Sequence, residues 1–432
     1  MRRLFLVLFV FSFSKLIGQN TIGYYIEQAK TNHPYILDNQ NQSKINLLET
    51  ERLRAAYLKP QLGFTAGYML APIISLDNNK VRLDVNSKGR DNYLGLDLGS
   101  TNGGNLQAML NYTQPLWMTE KFKPIAEQLL ISNRINENNI ELTYHDIEKS
   151  VTDQYFTCLF DIKQSDYIKI IIALIDDQYE IVRKLAVAAI AKQSDLILLN
   201  IEKQKQIINL TAFQTNYRRD FLDLNVLCGI KDTSIQNLPP LSMKSPFDSI
   251  SLKNDTLNSK FVERYRLDSL NALAAQDVFE LKYKPQINAY ASGGINANYI
   301  PDIYKRFGWS VGISYNLYLF DGHQKDINRS KTDLAIQTAG VYKERFLNQN
   351  NVRKTRILNE IKSLQERQTT LDVQIQEYQK LLDTYKKELI HGQISVINFV
   401  TTLKDFTTLQ QDFITIQTQQ QFLINAYNYW NW

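Results

Sequence analysis

Residues that carry most enzyme chemistry are scarce in this sequence. Its 432 residues include two cysteines and four histidines, and the HExxH, GxSxG and P-loop spacings are absent. The histidines lie far apart, on segments of different predicted structure: His33, His145, His323 and His391. A structural or capping role is therefore expected for them rather than metal binding. We predict no enzyme activity, no cofactor and no metal site.

Long apolar runs are missing as well, with one exception near the amino terminus. Residues 4–13 are apolar, follow Arg2 and Arg3, and precede small and polar residues. This pattern predicts a secretory signal peptide over residues 1–19. No later stretch contains 18 consecutive apolar residues, so insertion into a membrane is expected to use strands rather than helices. Neither cysteine lies near the cleavage site, so we expect no lipid anchor.

A large excess of charge is also lacking. The formal net charge is +5, and removal of Arg2, Arg3 and Lys15 with the signal peptide lowers it to +2. Proteins that bind nucleic acid normally present a strongly basic surface. A nearly neutral chain therefore argues against nucleic acid as a partner.

The sequence does contain a repeated two-residue alternation of apolar and polar side chains, which is typical of strands with two different faces. It occupies four segments, at residues 61–70, 105–113, 287–296 and 309–319. Such strands fit either a sheet packed on a core or a barrel with lipid outside and water inside. For a barrel, the predicted lipid-facing residues are Leu62, Phe64, Leu106, Leu110, Ile287, Ile295, Val311 and Ile313.

Helical segments lie between the strands. One runs from about residue 119 to 185 and contains no glycine and a single proline near its start. At 1.5 Å per residue such a helix is roughly 100 Å long, which no compact domain of this size requires. Small residues at 186–195 predict the tip of a helical hairpin, and a second long helix, at 322–391, leads to another tip. A single helix over residues 21–57 and an exposed loop over 71–104 are also predicted.

An offset of 203 residues relates the two halves of the chain. It places Leu116 on Leu319 before the long helices, and Asp195 on Asn398 at the predicted tips. The predicted domains are a first repeat of helix, strand hairpin and helix, a proline-containing segment at mid-height, and a second repeat. They occupy residues 20–230, 231–258 and 259–432.

The number of strands sets the number of chains that a water-filled barrel would need. Four strands from one chain cannot close a barrel, and eight would close one whose interior is filled by side chains. Twelve strands leave room for water, so a trimer is the smallest assembly that conducts.

These features together resemble the TolC-like outer membrane factors. The resemblance covers nearly the whole mature chain and rests on the duplicated strand hairpin and long helix. It also rests on the motif NLYLFDG from Asn316 to Gly322, and on the tip and returning helix from His391 to Trp430. It implies a mainly α fold with a membrane β-barrel, in which long helical hairpins form an α-barrel tube continuous with a 12-stranded barrel made by a homotrimer.

The resemblance also implies a function. The chain would be the passive exit duct of a tripartite efflux system, inserted in the lipid of the outer membrane and extending into the periplasm. Its partners would be a periplasmic adaptor protein and an inner-membrane pump. Protein secretion by a type I system is the alternative within the same architecture, and a non-conducting envelope-spanning coiled coil is the alternative of another class.

The hairpin tips are the predicted functional sites. The family closes its channels with acidic residues six and nine positions after the tip glycine, and counting from Gly392 gives Asn398 and Thr401, neither of which is charged. Asp195 in the first tip is then the nearby acidic candidate for the gate, with helix capping as its alternative role. Adaptor contact is expected at Ala188, Ala189, Ile190, Gly392, Gln393, Ile394 and Ser395, where ordinary turn chemistry is the alternative.

Cys158 and Cys228 would lie at similar heights on the two sides of the first hairpin. Counted from its tip, the two heights differ by roughly one helical turn. A disulfide between them is geometrically conceivable and is left open.

Overall fold

The computed structural model describes residues 21–85, 92–95, 104–116, 119–248, 259–298 and 300–432. The predicted signal peptide lies outside these residues. Within them, helices α1 to α7 are Ile22–Asn32, Pro34–Leu58, Thr119–Val187, Gln193–Leu227, Lys260–Glu280, Gln324–Ile390 and Val396–Trp430. Strands β1 to β7 are Gln61–Leu70, Ile73–Ser75, Arg82–Asp84, Tyr93–Leu94, Gly104–Leu116, Gln286–Ala297 and Phe307–Asn316.

The fold is mainly α, as predicted, and its longest helices are α3 with 69 residues and α6 with 67. The offset of 203 residues holds at the ends of the helices. It maps the last residue of α3, Val187, onto the last residue of α6, Ile390, and both ends of α4 onto both ends of α7. None of the described helices is both long enough and apolar enough to cross a membrane.

The single helix predicted over residues 21–57 is wrong, because the chain leaves the helical conformation at His33. This residue has φ −73° and ψ 119°, and separates α1 from α2. Pro34 is the first residue of α2. Proline is well suited to that position, but its ring disfavours helical backbone at the residue before it.

The four predicted strands form one antiparallel sheet in the order β1-β5-β6-β7. The last of them is shorter than predicted, since β7 ends at Asn316 and the apolar residues Leu317 and Leu319 follow it. The exposed loop predicted over residues 71–104 is partly wrong, because it contains a second sheet with the order β3-β2-β4. Its strands are two or three residues long, too short to show a periodic pattern in the sequence.

The chain forms two compact units. The first comprises the described residues of Met1–Asp38, Asn139–Val262 and Glu344–Trp432, and the second comprises those of Asn39–Asn138 and Glu263–Lys343. Both sheets belong to the second unit. The first unit contains the turns between α3 and α4 and between α6 and α7.

Three hydrophobic clusters organise the described part of the first unit, and the smallest surrounds Ile357, Ile361, Ile424 and Tyr427. Of the other two, the first surrounds Tyr25, Tyr155 and Phe221, and the second lies beside the hairpin tips, where Leu199 and Phe399 are fully buried. The irregular segment that follows α4 packs on the first cluster through Leu238, Leu241 and Met243. It is tied there by hydrogen bonds, one of which runs from Tyr155 Oη to the carbonyl of Pro239 at 2.7 Å.

Cys158 and Cys228 belong to the first cluster and are both free thiols. Burial raises the pKa of the Cys158 thiol far above its usual range, and burial raises the pKa of Cys228 to about 12. Because the thiolate is the reactive form, both side chains act as small apolar core residues.

Candidate functional site

The register of the four-stranded sheet sorts its side chains onto two faces. Directly paired residues share a face. The pairs Phe64–Leu110, Ala108–Ile295 and Ala291–Val311 therefore carry one apolar face across all four strands. The register puts on this face all eight residues predicted to contact lipid: Leu62, Phe64, Leu106, Leu110, Ile287, Ile295, Val311 and Ile313.

Much of this apolar face is exposed in the single chain. Phe64 and Val311 are about two-thirds exposed, at 69% and 68%, and Ile313 is 72% exposed. Trp309 and Phe307 extend the exposed surface along β7. A contiguous apolar surface that crosses four strands is typical of a face that meets lipid or another protein.

The opposite face is polar, and hydrogen bonds between side chains cross it. Asn111 Nδ2 donates to Thr65 Oγ1 at 2.9 Å, and Ser292 Oγ donates to Asn111 Oδ1 at 2.8 Å, so β1, β5 and β6 are linked. Nearer one end, Asn105 Nδ2 donates to Asn296 Oδ1 at 3.1 Å. None of the four strands contains Asp, Glu, Lys, Arg or His. The polar face is therefore uncharged and is lined mainly by amides, hydroxyls and glycines, with Met69, Met109 and Pro115 as its apolar members.

The two hairpin tips are built alike. Ile190 N donates to the carbonyl of Leu185, and Gln393 N donates to the carbonyl of Glu388, both at 2.9 Å. Just before each donor is a residue in the left-handed region, Ala189 with φ 60° and Gly392 with φ 67°. These are the bonds and dihedral angles of a helix C-terminus closed by a left-handed residue. The two tips, which the 203-residue offset relates in sequence, therefore also share their backbone conformation.

Two single substitutions, each replacing a left-handed residue by the residue found at the other tip, are expected to change the stability of the tips in opposite directions. Ala189→Gly removes the steric cost of an L side chain at positive φ, whereas Gly392→Ala introduces it, and each change is worth about 1 kcal/mol. Amide hydrogen exchange at the tips should show protection raised about fivefold for Ala189→Gly and lowered about fivefold for Gly392→Ala. Equal effects of the same sign would contradict this account.

Asp195 is the third residue of α4, which begins at Gln193. Its Oδ2 accepts a hydrogen bond from Lys192 N at 3.0 Å, so its carboxylate caps the start of the helix. The structure thus supports the capping role for Asp195. Its counterpart Asn398 is the third residue of α7, and its backbone N donates to the carbonyl of Ser395 at 3.1 Å. Asn398 and Thr401 are both exposed.

The seven residues predicted to contact an adaptor lie on the two turns: Ala188, Ala189, Ile190, Gly392, Gln393, Ile394 and Ser395. The two turns touch each other, because a Cβ placed on Gly392 would lie 3.2 Å from Ile190 Cγ2. Ile190 is nevertheless mostly exposed, as is Val187 at the end of α3. The tips therefore present apolar side chains to the outside.

An ion pair between the two hairpins, in which the carboxylate is buried and the lysine is exposed, was not predicted. Glu202 on α4 is almost fully buried, and its carboxylate lies 3.3 Å from Lys404 Nζ on α7. Gln206 Nε2 donates a further hydrogen bond to Glu202 at 2.8 Å. The pair joins residues that are far apart in sequence, so no local pattern indicates it.

The histidines occupy separate environments in the described part of the chain. The His145 ring stacks with the rings of Tyr429 and Trp432, whose centroids are 4.7 and 4.1 Å away, and its Nε2 lies 2.9 Å from the carbonyl of Tyr429. This is a packing role. Among the described residues, no group of three His, Cys, Asp or Glu side chains could hold a metal ion.

Solved structures of outer-membrane channels share this fold. The channel OprN aligns over 95% of this chain and 89% of its own, with a TM-score of 0.70 and 11% identity. CusC, whose structures concern folding and transmembrane channel formation, aligns over 95% of this chain and 92% of its own, with a TM-score of 0.69 and 13% identity. The outer membrane protein VceC from Vibrio cholerae aligns over 95% of both chains, with a TM-score of 0.69 and 13% identity. Neither a protein-family profile nor a curated protein sequence matches this chain.

The chain therefore has the fold of the TolC-like outer-membrane channels, which confirms the resemblance seen in the sequence. OprN and CusC are described as channels, and VceC as an outer membrane protein. At 11 to 13% identity the similarity is one of fold.

Proposed function

We propose that this protein is the exit duct of a tripartite efflux system in the outer membrane. It acts as a passive homotrimeric channel that docks onto a periplasmic adaptor and an inner-membrane pump, which supplies the energy. The observation that carries the proposal is the two-faced sheet, whose apolar face is exposed and whose polar face contains no charged side chain. The shared fold with outer-membrane channels supports it.

The sheet needs partners to enter a membrane. Its outer strands, β1 and β7, each have one neighbour in the four-stranded sheet, so their outer backbone groups are unpaired within it. Unpaired backbone N–H and C=O groups are costly in lipid, where no water can satisfy them. Three copies, each pairing β1 with β7 of the next, close a barrel of twelve strands. The apolar faces then meet lipid and the polar faces line the water.

The repeat boundaries at residues 230 and 259 form part of this proposal. In the trimer, two helical hairpins from each chain line the periplasmic part of the duct, and the segment at 231–258 lies at mid-height. The described residues of that segment pack on the first hydrophobic cluster, which is consistent with a structural role.

The gate of the duct is proposed at the hairpin tips, at Asp195, Asn398 and Thr401. Neutral side chains occupy two of these positions and both are exposed, while the carboxylate of Asp195 is engaged by Lys192 N. A gate of this kind closes by packing and neutral hydrogen bonds. The apolar side chains around Ile190 give the adaptor a surface to dock on.

Single-channel recording in planar bilayers tests the duct and the gate together. The mature protein should purify as a detergent-solubilised trimer and conduct ions. Millimolar divalent cations should block the current weakly, because Asn398 and Thr401 are uncharged and the carboxylate of Asp195 is engaged by Lys192 N. Asn398→Ala should leave this weak block unchanged. Strong divalent block that Asn398→Ala abolishes would contradict the neutral gate.

Absence of conductance from a membrane-inserted trimer would instead favour the non-conducting coiled coil. A monomer that stays soluble without detergent would overturn the duct itself. Co-purification with an adaptor of a type I secretion system would identify protein cargo rather than small-molecule efflux.

A further inference from the structure

The first helical hairpin buries two carboxylates between its helices. Asp161 on α3 is 3% exposed and Asp220 on α4 is 6% exposed. Arg219 Nε donates to Asp220 Oδ1 at 2.7 Å, but the arginine side chain is largely in solvent. Asp161 Oδ2 is buried and has no hydrogen-bond partner among the described residues. A buried carboxylate oxygen without a donor is costly, so the ionised form of Asp161 is disfavoured here.

The second hairpin shows that packing does not require these acids. The 203-residue offset maps Asp161 onto Leu364 and Asp220 onto Leu423. Leu364 is buried, and Leu423 packs against the cluster around Ile357 and Ile424. The same helix pair thus accommodates leucines, which avoid the desolvation cost of buried acids. The acid pair is a feature of the first hairpin alone.

The surroundings of the pair are mostly anionic or neutral. On α4, Asp220 and Asp223 face this region together with the guanidinium of Arg219. On α3, Cys158 lies one turn before Asp161 and is neutral because burial raises the pKa of its thiol. Burial, and next the neighbouring Asp220 carboxylate, raise the pKa of Asp161 to about 7, against a smaller opposing effect of Arg219. Below that pH the protonated Asp161 can donate a hydrogen bond to Asp220.

We propose that Asp161 binds a proton and, by donating it in a hydrogen bond to Asp220, forms a pH-dependent latch between α3 and α4. With the proton bound, the Asp161 carboxyl donates to Asp220, and the two helices are held together in the interior of the hairpin. When the proton leaves Asp161, its buried carboxylate faces that of Asp220 with no proton between them, while Arg219 donates to Asp220, and this part of the hairpin loosens. The second hairpin, with leucines at both positions, does not respond.

The sign of the effect follows from proton binding. The ordinary pKa of an aspartate is 3.8, well below that of Asp161 in the folded hairpin. Between these values the closed hairpin holds a proton that the opened hairpin has released. The latch is therefore fully effective below about pH 4, weakens as the pH rises, and is lost above about pH 7.

Amide hydrogen exchange on the full-length protein in detergent tests the latch. Protection factors, corrected for the intrinsic pH dependence of exchange, are measured from pH 5 to 8.5 at residues 157–165 and 216–224. In the wild-type protein they should fall by up to about tenfold per pH unit below pH 7 and then level off. The equivalent residues of the second hairpin, 360–368 and 419–427, provide the internal control and should not change.

Three variants separate the latch from a general effect of charge. Asp161→Asn should abolish the pH dependence, and the double variant Asp161→Leu with Asp220→Leu, which copies the second hairpin, should be protected at every pH. Asp166→Asn removes an exposed carboxylate from the same helix and should keep the wild-type dependence.

The proposal is overturned if wild-type protection is independent of pH, or if the pH dependence survives in the double leucine variant. It is also overturned if magnesium chloride alone restores protection at pH 8.5, because the pair would then hold a cation rather than a proton.

Discussion

Gly294→Ala is expected to prevent the four-stranded sheet from forming. Gly294 has φ +155°, and a Cβ at this position would lie 2.1 Å from the carbonyl oxygen of Ala108 and 2.8 Å from Met109 Cα. Both atoms belong to the backbone of β5, so no side-chain rotation can relieve the clash. Gly294 pairs with Met109 in the centre of the sheet, where β5 and β6 join the two strand hairpins. We expect a loss of more than about 3 kcal/mol.

The measurement is the yield of trimer and its thermal unfolding in detergent, with Gly293→Ala as the matched control. An ideal Cβ on Gly293 has its nearest neighbour, Gly308 O, at 3.9 Å, which is ordinary contact. This variant should lose less than about 1 kcal/mol. If the two variants behave alike, the clash at Ala108 is not what makes Gly294 necessary.

Val311→Arg is expected to stop insertion into the membrane. Val311 lies in the middle of β7, on the apolar face, and is 68% exposed in the single chain. An arginine that faces lipid near the centre of a bilayer costs about 2–4 kcal/mol in an outer-membrane barrel. A trimer would carry this cost three times. The amount of protein in the outer-membrane fraction, and its resistance to extraction with carbonate, should fall to near background.

Ser310→Arg provides the control on the neighbouring residue. Ser310 pairs with Ser292 on the polar face, so the proposed barrel would direct this arginine into water. The variant should insert normally and make the single-channel current more anion-selective. Insertion of both variants to the same extent would mean that the apolar face does not meet lipid.

The sequence predicted the parts of this fold that depend on local periodicity. All four long strands follow from alternation with period two, and the register groups their apolar residues on one face, as that alternation requires. The ends of the long helices at Val187 and Ile390 follow from the duplicated tips. The break at His33 was missed although Pro34 indicates it, because the apolar spacing on either side continues through it.

Features that depend on long-range pairing could not be predicted in the same way. The carboxylates of Asp161 and Asp220 come together because the two helices of the first hairpin pack with these two positions turned toward each other. The ion pair of Glu202 with Lys404 requires two different hairpins to pack. Helical periodicity shows that a residue is on a buried side, but not which residue of another helix it meets. For the tips, the function assigned to Asn398 and Thr401 stays a prediction.

The absence of charged residues from the four strands limits how well the proposed duct can select among the molecules that pass through it. Channels that select among ions do so with rings of fixed charge or with closely spaced carbonyl groups. A wall without fixed charge gives little electrostatic preference to either sign, so anionic, cationic and uncharged molecules would pass this section on similar terms. Discrimination among exported compounds would then fall to the proteins that load the duct, and one such conduit could serve several of them in turn.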